Sequence, residues 1–201
     1  MSNLVLKNSS FIHIPKCGGT FINNLVNRLE LVYTMYRQPQ NGHLYLHQMN
    51  NIEDKYNFTF VRHPYTWWPS FWNWSKKDRF SLMERKCPDF DTWVVDYGPF
   101  WMGQYTRLIQ RYVGEDILYP CKAKMHYIGK NENIENDLLT ALKNAGEKIS
   151  EENYWLALKN MERDQGKYIN RQEYNRNISD SSKEIIYKAE KYVFDRFNYE
   201  P

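Results

Sequence analysis

Apolar positions near the start of the chain change their spacing, and the change predicts a buried strand followed by a helix. Residues 10–14 form a short, mostly apolar run of the kind that fills a buried strand. Beyond residue 20, apolar residues recur every three or four positions, which is the spacing of one helix face: Phe21, Ile22, Leu25, Val26 and Leu29. The chain therefore opens as strand, loop and helix.

The same kind of pattern predicts further elements downstream. Strands are predicted over residues 56–62 and 125–129, and helices over residues 90–97 and 134–145, the latter closed by Gly146. Residues 31–55 are polar and aromatic and read as a loop region that carries a short helix.

Two predictions concern helix ends. Pro69 has no backbone N–H to donate, so a break or restart of the helix is expected just before Ser70. Near the end of the chain, Ser179 or Asp180 is a suitable cap for one final helix that continues to residue 197.

Strands that alternate with helices predict an α/β fold. We expect a single three-layer domain over residues 1–201, with a central parallel sheet flanked by helices and a P-loop-like strand–loop–helix at the N-terminus. In such doubly wound folds, ligands gather at the carboxyl ends of the strands.

The loop between the first strand and helix has the composition of a phosphate site. Lys16 supplies a cation and Thr20 a hydroxyl, while Gly18 and Gly19 allow backbone N–H groups to turn toward an anion at a helix N-terminus. A Walker A loop has its lysine after the glycines, whereas Lys16 precedes them here. An ATP or GTP P-loop therefore fits poorly.

A second segment carries another pair of anion-binding groups. Residues 58–72 read F-T-F-V-R-H-P-Y-T-W-W-P-S-F-W, a strand that ends in V-R-x-P, with Ser70 eight residues after Arg62. A forked guanidinium at a strand end and a hydroxyl in the following helical turns can converge on one phosphate.

Together, residues 11–20 and 58–72 resemble the two phosphate-binding motifs of sulfotransferases that use 3′-phosphoadenosine-5′-phosphosulfate (PAPS), in the bacterial and carbohydrate-type branch. Residues 127–137 are similar to that branch's late strand–turn–helix, and residues 197–199 to its closing segment. Trp67 departs from the family, which often has a basic residue in that turn.

The resemblance implies a function and a set of site residues. It implies sulfuryl transfer from PAPS to an acceptor hydroxyl, leaving 3′-phosphoadenosine-5′-phosphate (PAP). Arg62 and Ser70 would hold the 3′-phosphate. The 5′-phosphosulfate would be held by Lys16, Cys17, Gly18, Gly19 and Thr20.

The catalytic assignments are Lys16 beside the leaving oxygen and a histidine as base. The family places its catalytic histidine in the region of residues 42–46, so His43 is the expected base and His47 the second choice. The two histidines are four residues apart, but the glutamate of an H-E-x-x-H metal site is missing, and no metal is expected.

Composition restricts the partners. The 201 residues carry a formal net charge of only +3, which suits an anionic cofactor but not a nucleic-acid-binding protein. The sequence shows no membrane anchor or signal peptide, so a cytoplasmic location is expected, with reduced cysteines. The acceptor, a small molecule or a saccharide, and the oligomeric state stay open.

Two other functions remain as alternatives. One is an ATP-dependent small-molecule kinase, which would need a Walker-order lysine and a magnesium-binding carboxylate after a strand. The other is a non-catalytic nucleotide-binding protein that keeps the phosphate loops without turnover.

Overall fold

The computed structural model describes residues 3–31, 33–36, 44–76, 87–101, 103–164 and 178–201, and within them the protein is α/β. The described strands are β1 (Asn3–Val5), β2 (Ser9–Ile12), β3 (Thr34–Tyr36), β4 (Tyr56–Val61) and β5 (Met125–Lys130). The described α-helices are α1 (Gly19–Arg28), α2 (Pro64–Ser75), α3 (Phe90–Trp101), α4 (Gln104–Val113), α5 (Ile134–Asn144), α6 (Glu151–Asp164), α7 (Asp180–Ala189) and α8 (Lys191–Phe197).

The chain forms two compact units. The first contains Met1–Val61 and Ile109–Arg171, and the second contains Arg62–Leu108 and Gln172–Pro201. The single domain expected over residues 1–201 stays a prediction.

All five strands belong to one sheet in the first unit, in the order β3-β1-β2-β4-β5. β2, β4 and β5 run parallel, whereas β1 is antiparallel to both β2 and β3. The sheet is therefore mostly parallel, as expected, except that β1 alone runs opposite to the other four strands. Only three residues separate β1 from β2, which is enough for a hairpin but too short for the crossover that parallel strands need.

Phenylalanine rings from neighbouring strands form the centre of the first unit. Phe11 on β2 stacks on Phe58 of β4 at 5.6 Å between ring centroids, and Phe60 meets Phe11 edge-on at 6.3 Å. Gly129 on β5 leaves space for this cluster, because a Cβ there would lie 2.5 Å from the Phe60 ring. On the helical side, α1 packs against α6, and α5 packs against β5.

A buried carboxylate organises the second unit. Glu190 lies between α7 and α8 and accepts hydrogen bonds from the backbone N–H of Gly103 (2.9 Å) and of Thr106 (2.8 Å). It also accepts from the Thr106 hydroxyl (2.6 Å) and the Trp68 indole (3.2 Å). Burial raises the pKa of Glu190, while these donors act in the opposite direction.

This carboxylate explains one error in the sequence prediction. The expected final helix is two helices, because Glu190 leaves helical geometry (φ −109°, ψ 22°) where its side chain reaches the donors inside the unit. The expected cap is confirmed: the Ser179 hydroxyl accepts from the backbone N–H of Ser182.

The break predicted at Pro69 was also wrong, since α2 continues without interruption through that residue. Trp67, Trp68 and Trp72 are buried along this helix. Their packing outweighs the roughly 3 kcal/mol that an interior proline costs a helix. α3 similarly extends past Gly98, beyond its predicted end.

We expect Glu190→Ala to lower the free energy of unfolding by about 3 kcal/mol, because it leaves several buried donors without an acceptor. Chemical denaturation followed by tryptophan fluorescence would measure the change. Glu190→Gln keeps one acceptor oxygen and should cost less. Glu184→Ala, which removes an exposed ion pair with Lys188, serves as the control and should change little. An unaltered midpoint for Glu190→Ala would contradict this role.

Candidate functional site

The loop after β2 turns tightly into α1. The backbone N–H of Cys17 donates to the Ile14 carbonyl at 3.2 Å, and Lys16 adopts a left-handed backbone with φ 67°. Gly18, the N-cap of α1, is left-handed as well (φ 88°, ψ 8°), and the right-handed helix begins at Gly19. A left-handed residue followed by a right-handed one turns neighbouring N–H groups toward the same side, which creates an anion-binding concavity.

Close packing explains why both glycines are needed. A Cβ on Gly19 would lie 2.0 Å from Nε2 of His13, so the buried imidazole occupies the space beside the helix start. A Cβ on Gly18 would lie 2.3 Å from Cδ1 of Ile134 and 2.7 Å from the side-chain nitrogen of Asn131. The glycine pair therefore serves the packing of the loop as well as the direction of its N–H groups.

The other loop residues differ in exposure. Lys16 and Thr20 are half-buried, as expected for groups at the mouth of a site. Cys17 is buried, so its thiol forms part of the loop's packing. Burial raises the pKa of Tyr112, and the nearby Tyr45 and Cys17 add to that shift. Tyr112 thus lies near Cys17 and beside Tyr45, a set of neighbours that the sequence did not predict.

In the second unit, Arg62 is held by its backbone and its side chain. Its N–H donates to the Tyr105 hydroxyl at 2.7 Å, and that hydroxyl donates to the Arg62 carbonyl at 2.8 Å. Nε of Arg62 donates to the Thr66 hydroxyl at 2.9 Å. Ser70 is 2% exposed and lies one helical turn beyond Thr66, so Thr66 and Ser70 share a face of α2.

Trp67 has a structural role. It is fully buried and stacks on Tyr105 at 4.2 Å with an interplanar angle of 11°. Tyr105 therefore connects Trp67 to the backbone of Arg62. Trp67 thus packs against the residue that holds the backbone of Arg62.

The histidines fall into distinct environments. His43, the expected base, lies outside the described residues. His47 is half-buried in a 3-10 turn (Leu46–Gln48), between the rings of Tyr45 at 5.8 Å and Tyr119 at 5.0 Å. His63 caps α2, because its Nδ1 accepts from the backbone N–H of Tyr65 at 3.2 Å.

The parallel strands bring several of these segments to one edge of the sheet. Ile12, Val61 and Lys130 are the last residues of β2, β4 and β5, which are adjacent in the sheet. The loop at residues 13–18, here called the candidate phosphate loop, follows the first of these ends, and Asn131 follows the third. Parallel α/β sheets bind ligands at this edge.

No protein-family model matches this chain, and neither does any curated protein. The resemblance to sulfotransferases therefore stays a prediction from the residues of the two motifs.

A shallow cavity of about 630 Å³ in the first unit lies away from both motifs, where β2 and β4 begin. Its lining includes Lys55, whose ammonium donates to the carbonyls of Leu6 (3.2 Å) and Lys7 (2.5 Å), and Tyr56, whose ring stacks on His126 at 5.1 Å. These groups make hydrogen bonds and ring contacts within the protein, and none of them belongs to either of the two sequence motifs.

Two observations concern the remaining expectations. Among the described residues, no three side chains of His, Cys, Asp and Glu come together as a metal site requires, and the prediction that no metal is needed stays a prediction. None of the helices that the structure describes is long and apolar enough to cross a membrane.

The contact between His13 and Gly19 yields a test of the loop's packing. Gly19→Ala should lower the free energy of unfolding by about 1 to 3 kcal/mol, because the new methyl group overlaps the His13 ring. In a His13→Ala background the same change should cost nothing, or stabilise by up to about 1 kcal/mol, since alanine favours helix over glycine. A double-mutant cycle measured by denaturation gives the coupling. Equal costs in both backgrounds would contradict the contact.

Proposed function

We propose that this protein is a sulfotransferase that moves a sulfuryl group from PAPS to a hydroxyl of a small-molecule or saccharide acceptor, with PAP as the other product. The observation that carries the proposal is the left-handed turn at Gly18, which opens α1 directly after β2, with Lys16 ahead of the glycines. In this proposal the N-terminal strand–loop–helix acts as a P-loop-like element of a three-layer α/β fold.

The 5′-phosphosulfate would bind at the start of α1. The concavity at Gly18 and Gly19 offers N–H groups, the helix N-terminus offers partial positive charge, and Thr20 offers a hydroxyl. Lys16 has a left-handed backbone, a conformation uncommon for a residue with a Cβ. Such backbone strain is concentrated at ligand-binding sites, which supports a binding role for the lysine.

The 3′-phosphate would bind to Arg62 and Ser70. Arg62 is positioned through Tyr105 and Thr66, so little of its freedom would be lost on binding. Ser70 lies on the same face of α2 as Thr66 and can offer a neutral donor beside the guanidinium.

The reaction would be a direct displacement. The acceptor oxygen attacks sulfur, the bond between sulfur and the bridging 5′-phosphate oxygen breaks, and PAP leaves with the negative charge that Lys16 would stabilise. The proton of the acceptor hydroxyl passes to a histidine, His43 in the first instance and His47 in the second. Positioning and charge neutralisation supply most of the rate in transfers of this kind.

Calorimetric titration with PAP, ADP and ATP tests the cofactor. We expect PAP to bind most tightly, and Arg62→Ala to weaken PAP binding by about tenfold or more while ADP binding changes little, because only PAP carries the 3′-phosphate. Thr66→Val keeps the guanidinium but removes its anchor and should cause a smaller loss. Arg163→Ala, a change at an exposed arginine of α6, is the matched control.

The same titration separates the alternatives. ATP binding that exceeds PAP binding would favour a kinase and would overturn the proposal. Tight PAP binding without transfer of labelled sulfate to any acceptor in a hydroxyl-compound screen would favour a non-catalytic nucleotide-binding protein.

The catalytic residues can be tested once an acceptor is known. Lys16→Met should lower kcat. Of His43→Ala and His47→Ala, the change that removes the base should abolish the rise of kcat with increasing pH.

A further inference from the structure

The shallow cavity where β2 and β4 begin has a volume of about 630 Å³. Its lining comes from the turn between β1 and β2, the turn before β4, strand β5 and the end of α5, all within the first unit. Sites for small molecules have volumes of roughly 300 to 1,000 Å³, so the space suffices for such a ligand. The chemistry of the walls then decides which class of ligand fits.

Two stacked rings form one wall of the cavity. The Tyr56 ring lies against the His126 ring at 5.1 Å between centroids, with an interplanar angle of 24°. Nδ1 of His126 accepts from the backbone N–H of Asn57 at 3.1 Å, so the neutral imidazole carries its proton on Nε2. The backbone N–H of Tyr56 donates to the Asn8 carbonyl at 3.0 Å. Both rings are therefore held in place, and they offer an aromatic surface with a hydroxyl and an N–H at its edge.

The charged groups that line the cavity balance one another. Glu53 and Asp54 contribute two carboxylates, and Lys7 and Lys55 contribute two ammonium groups. The Lys55 ammonium is fixed by the carbonyls of Leu6 at 3.2 Å and of Lys7 at 2.5 Å. An anion would meet the two carboxylates and a cation the two ammonium groups, so neither sign of charge is favoured.

The polar lining also disfavours two other classes of ligand. Against an apolar ligand, the carboxylate, ammonium and amide groups would lose hydration without gaining hydrogen bonds. Throughout the part of the chain that the structure describes, no group of three His, Cys, Asp or Glu side chains could hold a metal ion. A neutral ligand rich in hydroxyl groups fits better, because a hydroxyl donates to a carboxylate and accepts from an ammonium. Its C–H groups can lie on the negative face of an aromatic ring.

We propose that this cavity binds a neutral saccharide unit, with a sugar ring against Tyr56 and His126 and with sugar hydroxyl groups bonded to Glu53, Asp54 and Lys7. The inference does not rest on sulfuryl transfer. The cavity lies where β2 and β4 begin, whereas the candidate phosphate loop follows the end of β2. The site therefore holds its ligand by non-covalent contacts alone, and it is tested without nucleotide.

Saturation-transfer NMR of the full chain with neutral oligosaccharides provides the test, with maltotriose, cellotriose, lactose and N,N′-diacetylchitobiose as probes. At least one probe should bind with a dissociation constant in the millimolar range or below. Glu53→Ala with Asp54→Ala should weaken its binding by about tenfold or more, because hydrogen bonds to charged acceptors are lost. Tyr56→Leu keeps an apolar side chain but removes the aromatic face, and it should weaken binding by about fivefold.

The matched control removes two exposed carboxylates elsewhere in the same unit. Glu152→Ala with Glu162→Ala on α6 should leave saccharide binding unchanged. Wild-type protein that binds none of the probes would overturn the proposal, as would full binding by the variant that lacks the carboxylates of Glu53 and Asp54. Binding of orthophosphate or spermidine in place of the sugars, lost in that same variant, would also overturn it and would assign the cavity to an ion.

Discussion

The parallel pairing of β2 with β4, and of β4 with β5, is the constraint on which the candidate site depends. Parallel neighbours place their carboxyl ends at the same edge of the sheet, so the segments after Ile12, Val61 and Lys130 all depart from there. The hairpin of β1 and β2 places the antiparallel β1 on the other side of β2 without disturbing that arrangement. Within the first unit, the candidate phosphate loop and Asn131 therefore begin at one sheet edge because of the topology alone.

Within the first unit, the core and the phosphate loop are fixed to each other by His13. The imidazole follows β2, packs beside Phe11 at 5.7 Å between ring centroids, and fills the space that a side chain at position 19 would need. Its backbone N–H is held by the side-chain oxygen of Asn3 at 2.8 Å. The start of α1 can approach β2 only because position 19 has no side chain. This packing fixes the direction of the N–H groups at the helix start, and under the proposed function that would reduce the cost of binding an anion.

The sequence predicted elements well where local pattern and packing agree. α1, β4, β5 and α5 were found within one or two residues, because their apolar positions repeat at the period of the element and their ends carry turn residues such as Gly146. α6 was missed because exposed Trp155 and Leu156 interrupt the apolar face formed by Tyr154, Leu158 and Met161.

Long-range contacts account for what local pattern could not predict. The short β1 was not predicted, and its place in the sheet depends on pairing with two strands rather than on its own sequence. The continuity of α2 through Pro69 and the interruption at Glu190 were both decided by side chains buried against distant parts of the second unit. Of the candidate site, the residue types in the phosphate loop were predictable, whereas Asn131, Tyr112 and Tyr105 became visible only through their contacts.

The surroundings of His47 show why sequence spacing alone could not choose between the two histidines. The His47 ring stacks on Tyr45 at 5.8 Å and on Tyr119 at 5.0 Å, so the three rings form a column that holds the imidazole in one orientation. That column continues from Tyr45 to Tyr112 at 4.8 Å, and Tyr112 interacts in turn with Cys17 of the phosphate loop. An oriented imidazole and the lysine loop consequently share one scaffold. Under the proposed function, such an arrangement would keep the base and the leaving-group cation at a fixed separation during transfer.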